Sequence, residues 1–327
     1  MDTNNTNGLF VLSASPHVKH SNNTRRIMLD VIIALMPAFI WSVVMFGWKA
    51  LMLTAISVIS CVGFEYGYQK LMKKPVTIGD LSAVVTGIIL AFNVPSSAAW
   101  WIMPIGAFFA IVIVKQLFGG IGKNVVNPAI AARIFMFVSW PQQLTSFAEP
   151  ITDAVSSATA LGSLKTGLIP ESYSVLDMFL GICPGSLGEV SAMLLMIGGI
   201  YLIIRRVITW HIPVAFIGTV YVLGLLFPQA GGFVQYACYA IFSGGVMLGA
   251  IFMATDYVTS PVTKKGQLVF GIGCGLFTVL IRYFGSYNEG VCYSIMVMNL
   301  LVPLIDKYTK PTRFGVVKSD KKEAAAK

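Results

Sequence analysis

The chain has 327 residues, of which 56% are apolar and 11% are charged. Soluble domains average about 25% charged residues, so this composition excludes a water-soluble globule, and it equally excludes a disordered chain. The net charge is +9, but the basic residues lie between long apolar runs. That distribution favours the positive-inside rule of membrane proteins over nucleic-acid binding. The composition predicts an all-α, polytopic protein of the lipid bilayer with no nucleic-acid partner.

Ten apolar segments predict about ten transmembrane helices. They are Ile27–Gly47, Ala50–Gln69, Asp80–Val94, Trp100–Leu117, Val126–Trp140, Val190–Ile204, His211–Phe227, Tyr236–Ala254, Leu268–Phe284 and Asn288–Val302. Several of these segments are nearer 15 than 20 residues long, so they must tilt, break or line a cavity. Proline opens one of them and predicts a half-helix over Pro128–Val138.

The distribution of charge predicts the orientation. Residues 1–26 are polar and contain no cleavable signal peptide, which predicts a cytoplasmic N-terminus. With this orientation, 19 of the 23 basic residues face the cytoplasm and both termini lie there. The predicted organisation is a cytoplasmic leader 1–26, a membrane repeat 27–140, an outer loop 141–189, a second membrane repeat 190–303 and a basic cytoplasmic tail 304–327.

The two membrane regions contain an internal repeat. The text IVIVKQLFGG (Ile111–Gly120) is similar to TVLIRYFGS (Thr278–Ser286), and Pro95 aligns with Pro261 at a similar offset. Lys115 and Arg282 take equivalent positions but are predicted on opposite membrane faces. An inverted repeat of five spans each would produce this relation, although chance similarity between apolar segments remains an alternative.

The predicted outer loop contains Thr159 among small residues, with Asp153 and Ser156 shortly before it. Its hydroxyl is accessible to a modifying enzyme and can accept a phosphoryl group to form a phosphodiester. Taken alone, such a Ser/Ala/Thr segment is usually only a solvated turn.

Five sequence motifs elsewhere along the chain help to interpret this loop. They are SPHVKHSNNTRRIMLDVIIALMPA (Ser15–Ala38), GGIGKNVVNPA (Gly119–Ala129), PGSLGEVSA (Pro184–Ala192), FMATDYVTSPVT (Phe252–Thr263) and IDKYTKP (Ile305–Pro311). Over nearly its whole length the chain resembles the family that comprises the D subunits of Rnf complexes and the B subunits of sodium-pumping NADH:quinone oxidoreductases. The quinone-reducing members carry a longer N-terminal extension, so the length of this chain favours the Rnf side.

The resemblance implies FMN joined through its phosphate to the threonine of an S-x-A-T type motif. The matching position is Thr159, with Ser156 in the motif and Asp153 as the acidic residue that precedes it; Ser157 stands where many relatives have glycine. The resemblance also implies a non-covalent riboflavin between the repeats, to which no residues are assigned.

The resemblance implies a membrane subunit of a complex that oxidises ferredoxin, reduces NAD and moves Na⁺ or H⁺ across a bacterial cytoplasmic membrane. Its expected partners are the A, B, C, E and G subunits of the Rnf complex, most directly the FMN-bearing G subunit, together with a flavin transferase for maturation. Alternatives are the B subunit of the quinone-reducing complex, or a flavin-free channel or solute transporter of inverted-repeat fold.

Two polar segments are further candidates for contact with a flavin. Asn124 and Asn127 lie at a loop-to-helix junction whose backbone amides suit an anion or a carbonyl-rich ring. Thr255 and Asp256, with Thr259 and Ser260, are placed by the repeat opposite the break at residues 93–95.

Ionisable residues inside apolar segments are functional candidates by default. Asp30, Glu65 and Asp256 are therefore candidates for an ion path, as is Arg133, although Asp30 and Arg133 could instead form a structural pair. Glu65 lies near a predicted span end that water could reach. Lys115 and Arg282 are expected to extend toward the interface or to position a cofactor. The five cysteines are predicted to be small buried hydrophobic residues, and no metal site or catalytic motif is predicted.

Overall fold

The computed structural model describes residues 23–147, 160–165, 173–189, 191–229, 231–285 and 289–310. These residues form helices α1 Thr24–Phe46, α2 Trp48–Leu71, α3 Ser82–Phe92, α4 Ile102–Gln116, α5 Pro128–Ser139, α6 Pro141–Thr145, α7 Ala160–Lys165, α8 Val175–Leu180, α9 Ala192–Ile204, α10 His211–Leu226, α11 Phe233–Phe242, α12 Val246–Met253, α13 Lys264–Phe284 and α14 Val291–Thr309. Within the described ranges the fold is all-α, with one isolated antiparallel bridge between Pro95 and Ser186.

Four helices are long and apolar enough to cross a membrane: α1, α2, α13 and α14. The pair α11 and α12 passes the same test as one span bent by 62°. Helices α3, α4, α5, α9 and α10 are apolar but shorter. The chain is therefore a multi-pass membrane protein that is helical over the described residues, and each predicted segment overlaps one of these helices or the bent pair.

Short polar side chains cap the N-terminal ends of several of these helices. The Asn23 side chain accepts from the backbone N–H of Arg26 at the start of α1, and the Thr263 hydroxyl accepts from Gly266 at the start of α13. Helix α5 starts with Asn127 as its cap and Pro128 in its first turn. Such caps satisfy N–H groups that a helix cannot pair internally, which matters most where water is scarce. The predicted opening of α5 at Pro128 is confirmed.

Small residues set the closest helix packing. A Cβ atom on Gly275 would lie 2.6 Å from the Cβ of Thr219, and one on Gly271 would lie 2.8 Å from the Cβ of Ala215. These glycines are one turn apart on α13 and face α10, as in other membrane helix pairs in which small residues allow the backbones to approach.

Helix α3 ends in the interior of the fold. Its last residue, Phe92, is fully buried, and the chain then runs as a non-helical segment that pairs with residues 186–188. The backbone N–H groups of Leu187 and Gly188 donate to the carbonyls of Val94 and Phe92, at 3.0 and 2.8 Å. The open backbone groups of this break are thereby satisfied within the protein, which is the condition for irregular backbone at membrane depth.

Candidate functional site

The interrupted ends of α3 and α12 lie side by side. The Asn93 amide, directly after α3, donates to the carbonyl of Ile89 at 2.7 Å and lies 3.6 Å from the sulfur of Met253, the last residue of α12. The two membrane regions of the sequence therefore meet at their helix breaks.

Asn127 joins this junction from a third element. Its side-chain oxygen accepts from the backbone N–H groups of Ala129 and Ile130 at 3.0 and 3.4 Å, and its amide nitrogen donates to the carbonyl of Met253 at 3.3 Å. One side chain thus caps α5 and ties it to the end of α12. With the amide of Asn299 oriented so that both of its atoms have partners, it accepts from the Asn127 N–H and donates to the carbonyl of Thr259.

The segment after α12 presents three more polar side chains. The Thr255 hydroxyl donates to the carbonyl of Ile251 at 2.6 Å, which continues the helical direction by one turn. The Thr259 hydroxyl donates to a carboxylate oxygen of Asp256 at 3.1 Å. Thr259 therefore fixes the Asp256 carboxylate, which reaches the wall of the adjacent cavity.

An open cavity lies against this junction. Its polar wall contains Lys115, Asn124, Asn127, Thr255 and Asp256. Its apolar wall comes from α1, α3, α9, α12 and the loops beside them, with Val31, Val85, Ile89, Leu202, Val207 and Phe252 among its residues. An apolar cleft with a few convergent polar groups is the usual form of a small-molecule site.

The structure brings together four residues that the sequence nominated as two separate pairs. Asn124 and Asn127 precede α5, whereas Thr255 and Asp256 follow α12, and all four line this cavity. Lys115 completes the polar wall. The sequence places this charge inside an apolar run, where it was expected either to extend toward the interface or to position a cofactor.

Lys115 and Glu65 form a buried ion pair beside the cavity. Their closest approach is 2.9 Å, and 4% and 1% of their side chains are exposed. Lys115 also donates to the hydroxyl of Ser82 at the start of α3, at 2.6 Å, and Gln116 donates to Glu65 at 2.8 Å. The expectation that water reaches Glu65 is wrong, because the side chains of α4 cover it. The expectation that Lys115 extends toward the interface is wrong, because its side chain is buried and bound to Glu65 and Ser82.

Arg282 aligns with Lys115 in the similar text of the two membrane regions. It is buried and donates to the carbonyls of Ala240, Ser243 and Gly244, at 2.6, 2.9 and 3.2 Å. Its guanidinium therefore satisfies the carbonyls at the bend between α11 and α12. Each of these two cations binds the chain just before or at the start of an interrupted helix, so Arg282 does not extend toward the interface either.

The suggested pair of Asp30 with Arg133 does not form. Asp30 instead accepts from Arg205 at 3.3 Å and from the Tyr201 hydroxyl at 3.1 Å, at the end of α9, which packs against α1. Arg133 forms an ion pair with Glu289, just before α14. The sequence identified buried charges but not their partners, because the partners lie on other parts of the chain.

The loop candidates Asp153, Ser156 and Thr159 lie outside the described residues. Helix α7 begins directly after Thr159, and it is held against the second membrane region. Leu161 packs on Gly244 at the α11–α12 bend, and the Lys165 ammonium donates to the carbonyl of Gly285 at 2.6 Å. Within the described ranges, no group of three His, Cys, Asp or Glu residues could hold a metal ion.

Comparison with known sequences gives the family. The sequence model of the NQR2, RnfD, RnfE family matches residues 11–315. The chain belongs to this family. Relatives named as the D subunit of a Na⁺-translocating ferredoxin:NAD⁺ oxidoreductase complex, from Acetobacterium woodii, and of a proton-translocating one, from Clostridium ljungdahlii, are 51% and 43% identical to it. The first alignment covers 97% of this chain and 98% of the relative, and the second covers 94% and 96%.

A third member of the family lies further away in sequence. The D subunit of an ion-translocating oxidoreductase complex from Stutzerimonas stutzeri is 38% identical, over 92% of this chain and 95% of the relative. The resemblance that the sequence motifs indicated is thus confirmed over nearly the whole chain, including the segments that line the cavity.

Proposed function

We propose that this chain is the D subunit of an ion-translocating ferredoxin:NAD⁺ oxidoreductase complex in the bacterial cytoplasmic membrane. The observation that carries the proposal is the 51% identity, over nearly both full lengths, with a relative named as such a subunit. The relatives' names include both Na⁺ and H⁺ as the transported ion, and the proposal covers both. The chain is part of an oxidoreductase and does not complete the reaction alone.

The proposed architecture is ten membrane crossings in two inverted repeats of five. It is supported by the local equivalence of α3 and α12, which start after left-handed residues, Leu81 with φ 64° and Gly245 with φ 70°. Each is bound near its start by a buried cation, Lys115 and Arg282 respectively. Helices related in this way and predicted to start from opposite faces would meet at their ends, as the breaks do.

Hydrogen bonds join the helix ends that lie near many of the basic residues, so these ends share one face of the protein. This supports a cytoplasmic location for both termini. The Tyr257 hydroxyl donates to the carbonyl of Val207, Thr209 donates to Gln267 at 2.7 Å, and Thr263 donates to Thr309 at 2.8 Å. These contacts join the ends of α9, α10, α13 and α14, beside which many of the Lys and Arg residues lie. A face rich in basic residues is the cytoplasmic one in most membrane proteins.

The proposed cofactors are FMN attached through its phosphate to Thr159 and a non-covalent riboflavin in the cavity. The polar groups fit a flavin, because the amide nitrogens of Asn124 and Asn127 each keep one N–H beyond the one that bonds a backbone carbonyl, and the Asp256 carboxylate can accept from the edge of a carbonyl-rich ring. The apolar wall fits the ring face. When bound, a flavin supplies electron transfer in steps of one or two electrons.

The protein's own contribution would be to bind, orient and insulate. The side chain of Asn127 is fixed by three hydrogen bonds, so it can present a preset edge without reorganising. The Thr259 hydroxyl holds the Asp256 carboxylate in the same way. Valine, leucine and phenylalanine side chains exclude water from the rest of the wall. Fixed dipoles and a dry surrounding are what a protein uses to tune a redox centre.

Asp30, Glu65 and Asp256 remain the proposed ion-path residues, and they occupy three different settings. Asp30 pairs with Arg205 at the end of α9, Glu65 is neutralised by Lys115, and Asp256 opens on the cavity. Because Asp256 adjoins the proposed flavin cavity, it is the carboxylate best placed to link a redox change to a cation. The proposed partners are the A, B, C, E and G subunits of the complex, with the G subunit the most direct, and a flavin transferase.

The deciding experiment is flavin fluorescence of the chain on a denaturing gel after co-expression with a flavin transferase. Denaturant removes non-covalent flavin, so a fluorescent band reports a covalent link. We expect Thr159→Ala to abolish the band and Ser157→Ala, a matched hydroxyl removal in the same loop, to keep it. A dark wild-type band under conditions that flavinylate a known substrate would favour a flavin-free transporter. A band that survives in Thr159→Ala would remove the attachment site from this residue.

The cavity is tested by the flavin that acid releases from the folded chain. Asp256→Asn and Asn127→Leu are expected to lower the riboflavin released per chain while leaving the covalent band on the gel unchanged. Val222→Ala, at an exposed position of α10, serves as the control and should change neither. Unchanged riboflavin content in both cavity variants would contradict the assignment without touching the covalent site.

A further inference from the structure

A second cavity opens at the start of α1 and has a predominantly charged lining. Arg26 comes from the first turn of α1, Arg205 and Arg206 come from the end of α9, and Tyr257 comes from the segment after α12. Asp30 forms part of the floor. Two separate parts of the chain therefore direct guanidinium groups into one cavity.

Two of the surrounding groups are held in place. Asp30 accepts from Arg205 at 3.3 Å and from the Tyr201 hydroxyl at 3.1 Å. The carboxylate therefore holds the Arg205 guanidinium, and the Tyr201 hydroxyl orients the carboxylate. The Tyr257 hydroxyl donates to the carbonyl of Val207, which ties the segment after α12 to the turn after α9. These contacts join the segments that form the cavity wall, and the exposed side chains of Arg26 and Arg206 lie on that wall.

Arg206 has an unusual backbone conformation. Its φ is 57°, in the left-handed region that glycine adopts without strain and a long side chain does not. The Arg206 N–H donates to the carbonyl of Ile203, and the Val207 N–H donates to that of Leu202, both at 2.9 Å. This tight turn at the end of α9 is what places two consecutive arginines on the wall of the same cavity.

The charge of the cavity is unbalanced. Three arginines face one carboxylate, which leaves a formal charge of +2, and the positive end of the α1 dipole lies beside them. The positive-inside rule accounts for basic residues on this face, but not for their convergence on one polar cavity. Arginine forks match the oxygen geometry of phosphate, and basic pockets between helices at the cytoplasmic face bind anionic lipid headgroups.

We propose that the cavity formed by Arg26, Arg205 and Arg206 is a binding site for a phosphate group, supplied by an anionic phospholipid of the cytoplasmic leaflet. Arg26 and Arg206 would bind the phosphate oxygens, while Arg205 is shared with Asp30. The occupant would brace α1 against the end of α9. The site rests on the contacts of these residues and does not depend on any flavin.

The test uses the full chain in nanodiscs of phosphatidylcholine with a minor fraction of phosphatidylglycerol. Native mass spectrometry counts the phosphatidylglycerol molecules that remain bound after detergent washing. We expect the wild type to retain one more per chain than Arg26→Gln/Arg206→Gln, and the apparent affinity to fall about tenfold or more on loss of the two charge-assisted contacts. Two matched controls should behave as the wild type: Arg25→Gln, next to Arg26 but off the cavity, and Lys264→Gln/Lys265→Gln, which removes two charges at the start of α13.

A second arm separates the two sources of phosphate. In nanodiscs of phosphatidylcholine alone, inorganic phosphate is titrated while the melting temperature of the chain is followed. Stabilisation that is lost in Arg26→Gln/Arg206→Gln, together with no retained lipid, would keep the phosphate site and assign it to a soluble phosphate ligand. Equal lipid retention by all variants and no stabilisation by inorganic phosphate would overturn the proposal. Size-exclusion profiles check that each variant is folded.

Discussion

The buried pair of Lys115 and Glu65 gives the sharpest prediction about stability. Lys115→Met leaves a carboxylate and Glu65→Gln leaves an ammonium group inside the protein, in each case without its opposite charge. The double variant leaves two neutral side chains of similar size. We therefore expect both single variants to be strongly destabilised and the double variant to be more stable than either.

The magnitude follows from the surroundings of the pair. The two groups are 2.9 Å apart and almost inaccessible to water, and removing one partner of such a pair typically costs about 3–5 kcal/mol. Lys115→Met should fall at the lower end, because Gln116 still donates to Glu65 at 2.8 Å. Replacing a whole buried pair is often close to neutral, so the double variant should lose far less than the sum of the two single losses, and the coupling between the two substitutions should be at least about 3 kcal/mol.

The measurement is unfolding of the purified chain by dodecyl sulfate in mixed micelles, followed through the fluorescence of its six tryptophans. Wild type, both singles and the double form a complete mutant cycle. If the loss in the double variant equals the sum of the two single losses, the charges do not interact, and the interpretation of Lys115 as the partner of Glu65 fails. A single variant indistinguishable from wild type would show that water reaches the site.

Two further perturbations probe packing and a helix start. Gly275→Val places a side chain where even a Cβ would lie 2.6 Å from the Cβ of Thr219, so it should cost about 1–3 kcal/mol in the same unfolding assay. Gly218→Ala has open space around it, so it should be neutral or stabilise the protein by up to about 1 kcal/mol. In the exposed turn before α8, the hydroxyl and backbone N–H of Ser174 hold the pKa of Asp177 below its ordinary value. The backbone amides at the capped start of α8 should therefore be protected from exchange above the ordinary pKa of an aspartate, and they should lose that protection as the pH falls through the lowered pKa. Hydrogen exchange of residues 174–181 measures this change, and Ser174→Ala should abolish it.

Much of the helical framework was predictable, because membrane helices are encoded locally. Apolar runs and the polar residues between them gave α1 and α2 to within a few residues of their observed ends. The predicted span Tyr236–Ala254, in contrast, is divided by the bend at Ser243–Gly245. Two adjacent glycines with positive φ were the signal for that bend, and hydropathy alone does not register it.

The partners of the buried charges were not predictable in the same way. Asp30 and Arg133 were identified correctly as charges within apolar segments, yet each pairs with a residue more than 150 positions away in the sequence, Arg205 and Glu289. A pairing across helices depends on which helices pack together and on their rotation, and the periodicity of one helix contains neither. The cavity residues illustrate the same point, since Asn124 and Asp256 share a wall only because the two breaks meet.

Lys115 and Arg282, which align in the similar text of the two membrane regions, link the fold to the proposed function. Each cation is buried and bound to the chain where an interrupted helix begins, but their surroundings differ: Lys115 is neutralised by Glu65, whereas Arg282 donates to three backbone carbonyls. A helix bundle alone would need neither charge, since apolar side chains pack such helix ends without the desolvation of an ion. Both positions carry a cation, and Lys115 has a carboxylate beside it, next to the cavity. This arrangement suits a chain in which the first interrupted helix responds to a change of charge in the cavity and the second is a fixed support.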